Sequence, residues 1–95
     1  MPLFVLTCLD KPNSLPLRQA TREAHLAYLA EHPGVMRLGG PFLDAAGDMA
    51  GSLMIVEAAD LAAAKAFNAA DPYSRADLFA SVDIRPWRVT VGAIA

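Results

Sequence analysis

The chain has 95 residues, 55% of them apolar and 19% charged, with a formal net charge of −2 and a pI of about 5.5. This length suits one domain over residues 1–95, and a mildly acidic balance without a basic run argues against a nucleic-acid or anionic-membrane partner. The single cysteine, Cys8, excludes an intrachain disulfide; with no basic-led leader and no long apolar span, the expectation is a cytoplasmic protein.

Leu3 to Leu9 is a near-continuous apolar run with β-formers, stopped by Asp10-Lys11-Pro12-Asn13. It predicts a strand buried on both faces. Ser14 to His32 predicts an amphipathic helix, with Ser14 as N-cap and Pro16 in the first turn, where a missing N–H costs little. Pro33-Gly34 ends it. Val35 to Leu38 predicts a short second strand that breaks at Gly39-Gly40-Pro41, the glycine pair marking a bulge or a close backbone approach.

Gly51 to Ala58 predicts a third strand, joined to the second by the polar turn Asp44 to Asp48. Asp60 caps a second, alanine-rich helix from Leu61 to about Ala69. Asp71-Pro72 stops it and opens a helical turn toward Leu78. Val82 to Val91 predicts the fourth strand, its alternation slipping at Arg85-Pro86, which suits a bulge or an edge strand. The order β-α-β-β-α-β is the ferredoxin-like pattern, an α+β fold with a four-stranded antiparallel sheet.

Two helices cover one face of such a sheet, yet the first and third strands are apolar on both faces. A second copy, sheet against sheet about 10 Å away, supplies the missing cover, so the expectation is a two-fold homodimer.

The first helix places a histidine among its large apolar groups. On a wheel turning about 100° per residue, Arg18, Arg22, Leu29, Thr21, Tyr28 and Leu17 fall within roughly 80° of His25. An ionisable group on a buried-leaning face needs a partner. His25 is therefore either a packed histidine bonded to a backbone carbonyl or a general acid–base group, since its ordinary pKa lies near neutrality. Asp71 caps the turn before Pro72, and that role is compatible with orienting an imidazole. Arg18 and Arg22 form either a solvated edge or a guanidinium site for a carboxylate or phenolate. Ser52 and Tyr73 are polar groups within possible reach of the same pocket. His25 and His32 stand about 10.5 Å apart along a helix, and no Cys/His cluster accompanies them, so no metal site is expected. No phosphate- or dinucleotide-binding fingerprint is present, and no cofactor is implied.

In order and spacing, Asp10-Lys11-Pro12-Asn13-Ser14, Arg22-x-x-His25-Leu26, Gly39-Gly40-Pro41, Gly51-Ser52, Asp71-Pro72-Tyr73 and Arg85-Pro86-Trp87 resemble the YCII-related (YciI-like) family across almost the whole chain. The resemblance implies a ferredoxin-like fold that dimerises into an α+β barrel, akin in architecture to muconolactone isomerase. It implies a His/Asp active-site pair at His25 and Asp71, with Arg22, Ser52 and Tyr73 lining the cleft and binding substrate. Where the family often has an Ala-Gly-Val turn after Asp-Pro-Tyr, this chain has Ala76-Asp77-Leu78. The expected activity is acid–base chemistry of the isomerase or lyase type on a small, hydroxylated cyclic substrate. The competing expectation is a dimer that binds a small metabolite without turnover.

Overall fold

In the computed structural model, which describes residues 1–93, the elements are β1 (Leu3–Asp10), α1 (Leu15–Ala30), β2 (Met36–Leu43), β3 (Met49–Glu57), α2 (Leu61–Ala70), α3 (Pro72–Arg75) and β4 (Phe79–Trp87). The strands form one antiparallel sheet in the order β2-β3-β1-β4. The fold is ferredoxin-like α+β, as the element order predicts.

Strand alternation sets the layers. Phe4, Leu6 and Cys8 of β1 pair with Val56, Met54 and Ser52 of β3, and this parity is buried. Against it pack Ala64 and Phe67 of α2, with Tyr28 and Leu29 of α1 partly buried beside them. The opposite parity, Leu3, Val5 and Thr7 of β1 with Leu53 and Ile55 of β3, is only half-buried. Leu38 and Trp87 extend that second apolar face and are 43% exposed each. Phe42 crosses it over Gly51, where a Cβ would meet the Cys8 carbonyl oxygen at 2.6 Å; only glycine fits beneath the ring.

Several element ends differ from expectation. Helix α1 stops at Ala30, short of His32, because Pro33 disfavours helical geometry in the residue before it. The Nδ1–H of His32 instead donates to the Tyr28 carbonyl, which also accepts the Glu31 N–H at 3.2 Å. Ser14 stands at the N-cap position, but its hydroxyl turns back to the Pro12 carbonyl and caps nothing. Asp60 does cap α2, accepting from the Ala63 N–H at 2.8 Å.

Strand β2 does not break at Gly39-Gly40-Pro41 but runs through it to Leu43, with Pro41 in register opposite Ser52. An edge strand leaves one side of its backbone unpaired, so a missing N–H is tolerated there. The register shifts fall on either side of the glycines, at Met36/Leu38 and Phe42/Leu43. Likewise β4 passes Arg85 and Pro86 in register with Val5 and Phe4; its irregularity lies at Leu9/Asp10. The strand is the other sheet edge and ends at Trp87, so Val89 and Val91 lie beyond it. Asp77 sits at φ 59°, a left-handed position that aspartate tolerates better than most residues.

Cys8 is fully buried mid-strand, its thiol 3.7 Å from the Asn68 Oδ1. Burial, then the Asp71 charge, push its pKa up to about 12, against the opposing pull of Arg18. The folded protein should thus resist alkylation of its only thiol at pH 8 and react once unfolded in urea. Because the thiol ionises near its ordinary 9 only in the unfolded chain, stability should fall as pH rises from about 9 toward 12, and Cys8→Ala should flatten that decline in urea titrations.

Candidate active site

The inner face of α1 meets the rest of the molecule through two polar residues. Arg18 and His25 are the buried residues of this helix, whereas Leu17 and Leu26 are exposed. Seven residues separate them, two turns, so both face the same way. Each has a buried carboxylate for a partner.

His25 Nδ1 lies 2.8 and 2.9 Å from the two Asp71 oxygens. An ionised carboxylate only accepts, so Nδ1 carries the proton and donates it. Asp71 is 0% exposed and His25 8%. The same Asp71 Oδ1 accepts the Tyr73 N–H at 2.9 Å, capping α3. One carboxylate thereby fixes the imbalance of donors at a helix start and the tautomer of the imidazole. The cap also sets the Tyr73 ring, which stacks on His25 with centroids 4.1 Å apart and planes at 17°.

Arg18 pairs side-on with Asp10: Nε donates to Oδ2 at 2.7 Å and Nη2 to Oδ1 at 2.9 Å. Nη2 also donates to the Ser52 Oγ at 2.9 Å. Its guanidinium carbon stands 4.6 Å from the Tyr73 ring centroid. Burial works to lower the Arg18 pKa, but the Asp10 contacts outweigh it and hold the group above its ordinary value. Burial raises the Tyr73 phenol; Arg18 and Arg22 pull against that shift without cancelling it, and Asp71 adds to it.

These groups border a cleft of about 190 Å³ between α1 and the β2–β3 half of the sheet. Arg18, Arg22, His25, Ser52 and Tyr73 give it polar lining. Leu26, Leu29, Met36, Met49 and Met54 give it apolar lining rich in flexible thioethers. Gly39 and Gly40 leave the β2 wall without side chains; a Cβ on Gly39 would meet Met36 Cε at 2.8 Å. With Nδ1 committed to Asp71, the imidazole has Nε2 left, and this atom makes no hydrogen bond among the described residues.

The structure therefore brings together the five residues expected at a site: His25, Asp71, Arg22, Ser52 and Tyr73. Asp71 stands behind His25 and does not line the cleft. Ser52 is held by Arg18 rather than free, and Arg22 remains exposed at the rim. The i,i+4 arginine pair is thus divided: Arg18 is an internal ion pair, not a solvated edge. Sequence reasoning passed over Asp10, read only as the end of a strand. The available signal was Arg18 itself, a guanidinium on a buried-leaning face with one carboxylate just upstream across the β–α turn.

The chain belongs to the YCII-related domain family, which matches residues 2–88. It is 35% identical over 94 residues to Protein YciI of Escherichia coli O6:H1, covering 90% of this chain and 96% of that protein. An uncharacterized protein of Haemophilus influenzae is 34% identical over 93 residues, with 90% and 95% covered. Among solved structures, the 5-chloro-2-hydroxyhydroquinone dehydrochlorinase TftG of Burkholderia phenoliruptrix AC1100, in complex with 2,5-dihydroxybenzoquinone, matches with a TM-score of 0.85 at 36% identity, over 90% of this chain and 93% of that one. An antibiotic biosynthesis monooxygenase, at a TM-score of 0.59 and 14% identity over 96% of this chain and 100% of that one, shares the fold alone.

Breaking the Arg18–Asp10 pair leaves a buried charge without a partner. Arg18→Ala should lower the unfolding free energy by about 3–5 kcal/mol in urea titrations, and Asp10→Leu combined with Arg18→Met should recover most of the loss.

Proposed function

We propose that the protein is a small-molecule enzyme in which His25 moves a proton on a hydroxylated six-membered ring and Asp71 holds the imidazole in register. The single observation that carries this reading is the His25–Asp71 pair: a fully buried carboxylate fixes Nδ1–H and leaves Nε2 for the cleft. The volume supports it. A cavity of about 150 Å³ suffices for benzene, so one ring with a few oxygen substituents suits a cleft of about 190 Å³. The likeness to TftG, a dehydrochlorinase bound to a dihydroxyquinone, supports the same substrate class.

Elimination of HX from a halogenated polyhydroxybenzene illustrates the chemistry. A proton moved by the imidazole from one ring hydroxyl to the neighbouring carbon that bears the halogen turns that hydroxyl into a carbonyl. Loss of a proton from a second ring hydroxyl then forms a second carbonyl, and halide departs with the C–X electron pair. The product is a hydroxyquinone, and the sum is loss of HX with no external oxidant. One imidazole, alternately base and acid, serves both proton transfers, and such help is worth about 10²–10⁴-fold in rate. Asp71 stabilises the imidazolium formed in between. Arg22, Ser52 and Tyr73 bind the ring oxygens.

We also propose a homodimer as the working form. The second sheet face carries Leu3, Val5, Leu53 and Ile55 at half-burial, and covering it with a copy of itself stabilises by about half of the roughly 1.5–3 kcal/mol that full burial of each such side chain gives.

Chloride release from 5-chloro-2-hydroxyhydroquinone measures the activity. His25→Ala should abolish it, and Asp71→Asn, which keeps an acceptor for the Tyr73 N–H, should lower kcat by about 10²-fold or more while the fold survives. Saturable binding with no chloride released by the native protein would instead mark a metabolite-binding role. Light scattering should give twice the 10.1 kDa of one chain, and Ile55→Glu should give the single mass.

A further inference from the structure

Glycine weakens the interior of a strand, so its place in β2 calls for a reason. Backbone shape is not the reason at Gly39: among the described residues, the glycines with a positive φ are Gly47 and Gly92. Space is. A Cβ on Gly39 would stand 2.8 Å from Met36 Cε, too close for a real side chain, whereas Met54 Cγ at 3.5 Å and the Leu53 carbonyl oxygen at 3.6 Å are ordinary contacts. The terminal methyl of Met36 thus occupies the place where a side chain at position 39 would begin. It is the one neighbour that forbids such a side chain.

The strand register brings the two residues together. Residues three apart on a regular strand point to opposite faces. In β2 the register shifts between Met36, opposite Val56, and Leu38, opposite Ile55, which makes Arg37 the extra residue of a bulge. Gly39 then falls opposite Met54, so Met36 and Gly39 share the face of Val56 and Met54. Both line the cleft, and Met54 beside them is 2% exposed. A Met36 side chain pushed off Gly39 has the cleft as its free side, since the buried Met54 closes the other.

We propose that Gly39 and Met36 are specificity-determining residues, which together hold open a seat in the cleft for one apolar, polarisable ring substituent, a halogen of chlorine size. This deepens the reading above and rests on it for the class of guest. The seat is walled by the thioether chains of Met36 and Met54 over the bare backbone of Gly39, and none of these side chains carries a hydrogen-bond donor. A halogen keeps its dispersion contacts there, whereas a hydroxyl finds only weak thioether acceptors. Size is as sharp a criterion. A single ring takes up most of a cleft of about 190 Å³, so one methyl group more in the wall is felt. With glycine at 39 the Met36 thioether lies back against β2; with alanine it would stand where the substituent sits. The pair selects and binds, and takes no part in proton transfer.

Calorimetric binding of 2,5-dihydroxybenzoquinone, its 3-chloro derivative and its 3-hydroxy derivative tests the seat. The native protein should bind the chloro derivative about 3- to 10-fold more tightly than the parent, the worth of burying one group of methyl size. The hydroxy derivative should gain nothing over the parent, and binding it more tightly than the chloro derivative would overturn the assignment to an apolar group. Gly39→Ala should weaken the chloro derivative about 10-fold or more, and the parent by less than about 3-fold. In a Met36→Ala background the same Gly39→Ala change should weaken neither by more than about 2-fold, because the alanine methyl then meets ordinary contacts alone. An equal effect of Gly39→Ala in both backgrounds, or none in either, sinks the proposal, as does a native protein that binds none of the three compounds. The acid–base reading fails separately: chloride release that survives His25→Ala would end it and leave the coupling between Gly39 and Met36 as measured.

Discussion

Helix α1 is fastened to the molecule by charge more than by hydrocarbon. Its two buried residues are Arg18 and His25, each joined to a carboxylate from elsewhere in the fold. Ion pairs of this kind are weak stabilisers in net terms, because desolvation offsets much of the attraction. What they supply is position. A helix packed through leucines settles as close to a sheet as side chains permit. One held by long polar arms stands off, and the space between α1 and β2–β3 is the cleft.

Asp71 concentrates several tasks in one buried group. It caps α3, orders the Tyr73 backbone, and orients the His25 ring that Tyr73 stacks upon. The helix of four residues that it caps could not persist alone in water; the carboxylate and the packing of Tyr73 hold it in place. Site and scaffold are therefore one object here. The arrangement explains why a mobile surface loop is not where the polar groups gather: α1 contributes three and β1, β3 and the start of α3 one or two each, and each element is locked by the sheet or by another member of the set.

The cleft has two unlike kinds of lining. Some of its groups are donors fixed by the Asp10 and Asp71 contacts. Others are three methionines and two leucines, beside a glycine-lined stretch of edge strand. Hydrogen-bonding groups demand direction. Thioether chains adapt, since they fill irregular space.

The sequence alone determined the element order and so the ferredoxin-like topology. Its hydropathy periods of two and of 3.6 are local and survive any rearrangement of distant parts. The same reasoning placed His25 on the inward side of its helix and read Asp71 as a cap, because both follow from neighbours within one or two turns. Tertiary structure decided the rest. Periodicity states which face a residue takes, not what it meets there: His25 and Asp71 lie 46 positions apart, and only the packing of α1 beside α3 sets their separation. Strand ends were likewise undecided, since Gly39-Gly40-Pro41 breaks a central strand but passes through an edge, and edge status belongs to the sheet order β2-β3-β1-β4. Arg18 was visible as a charge in an apolar setting, yet its assignment to Asp10 rather than to solvent needed the turn of the chain between β1 and α1, where a short-range sequence gap becomes a buried bidentate contact.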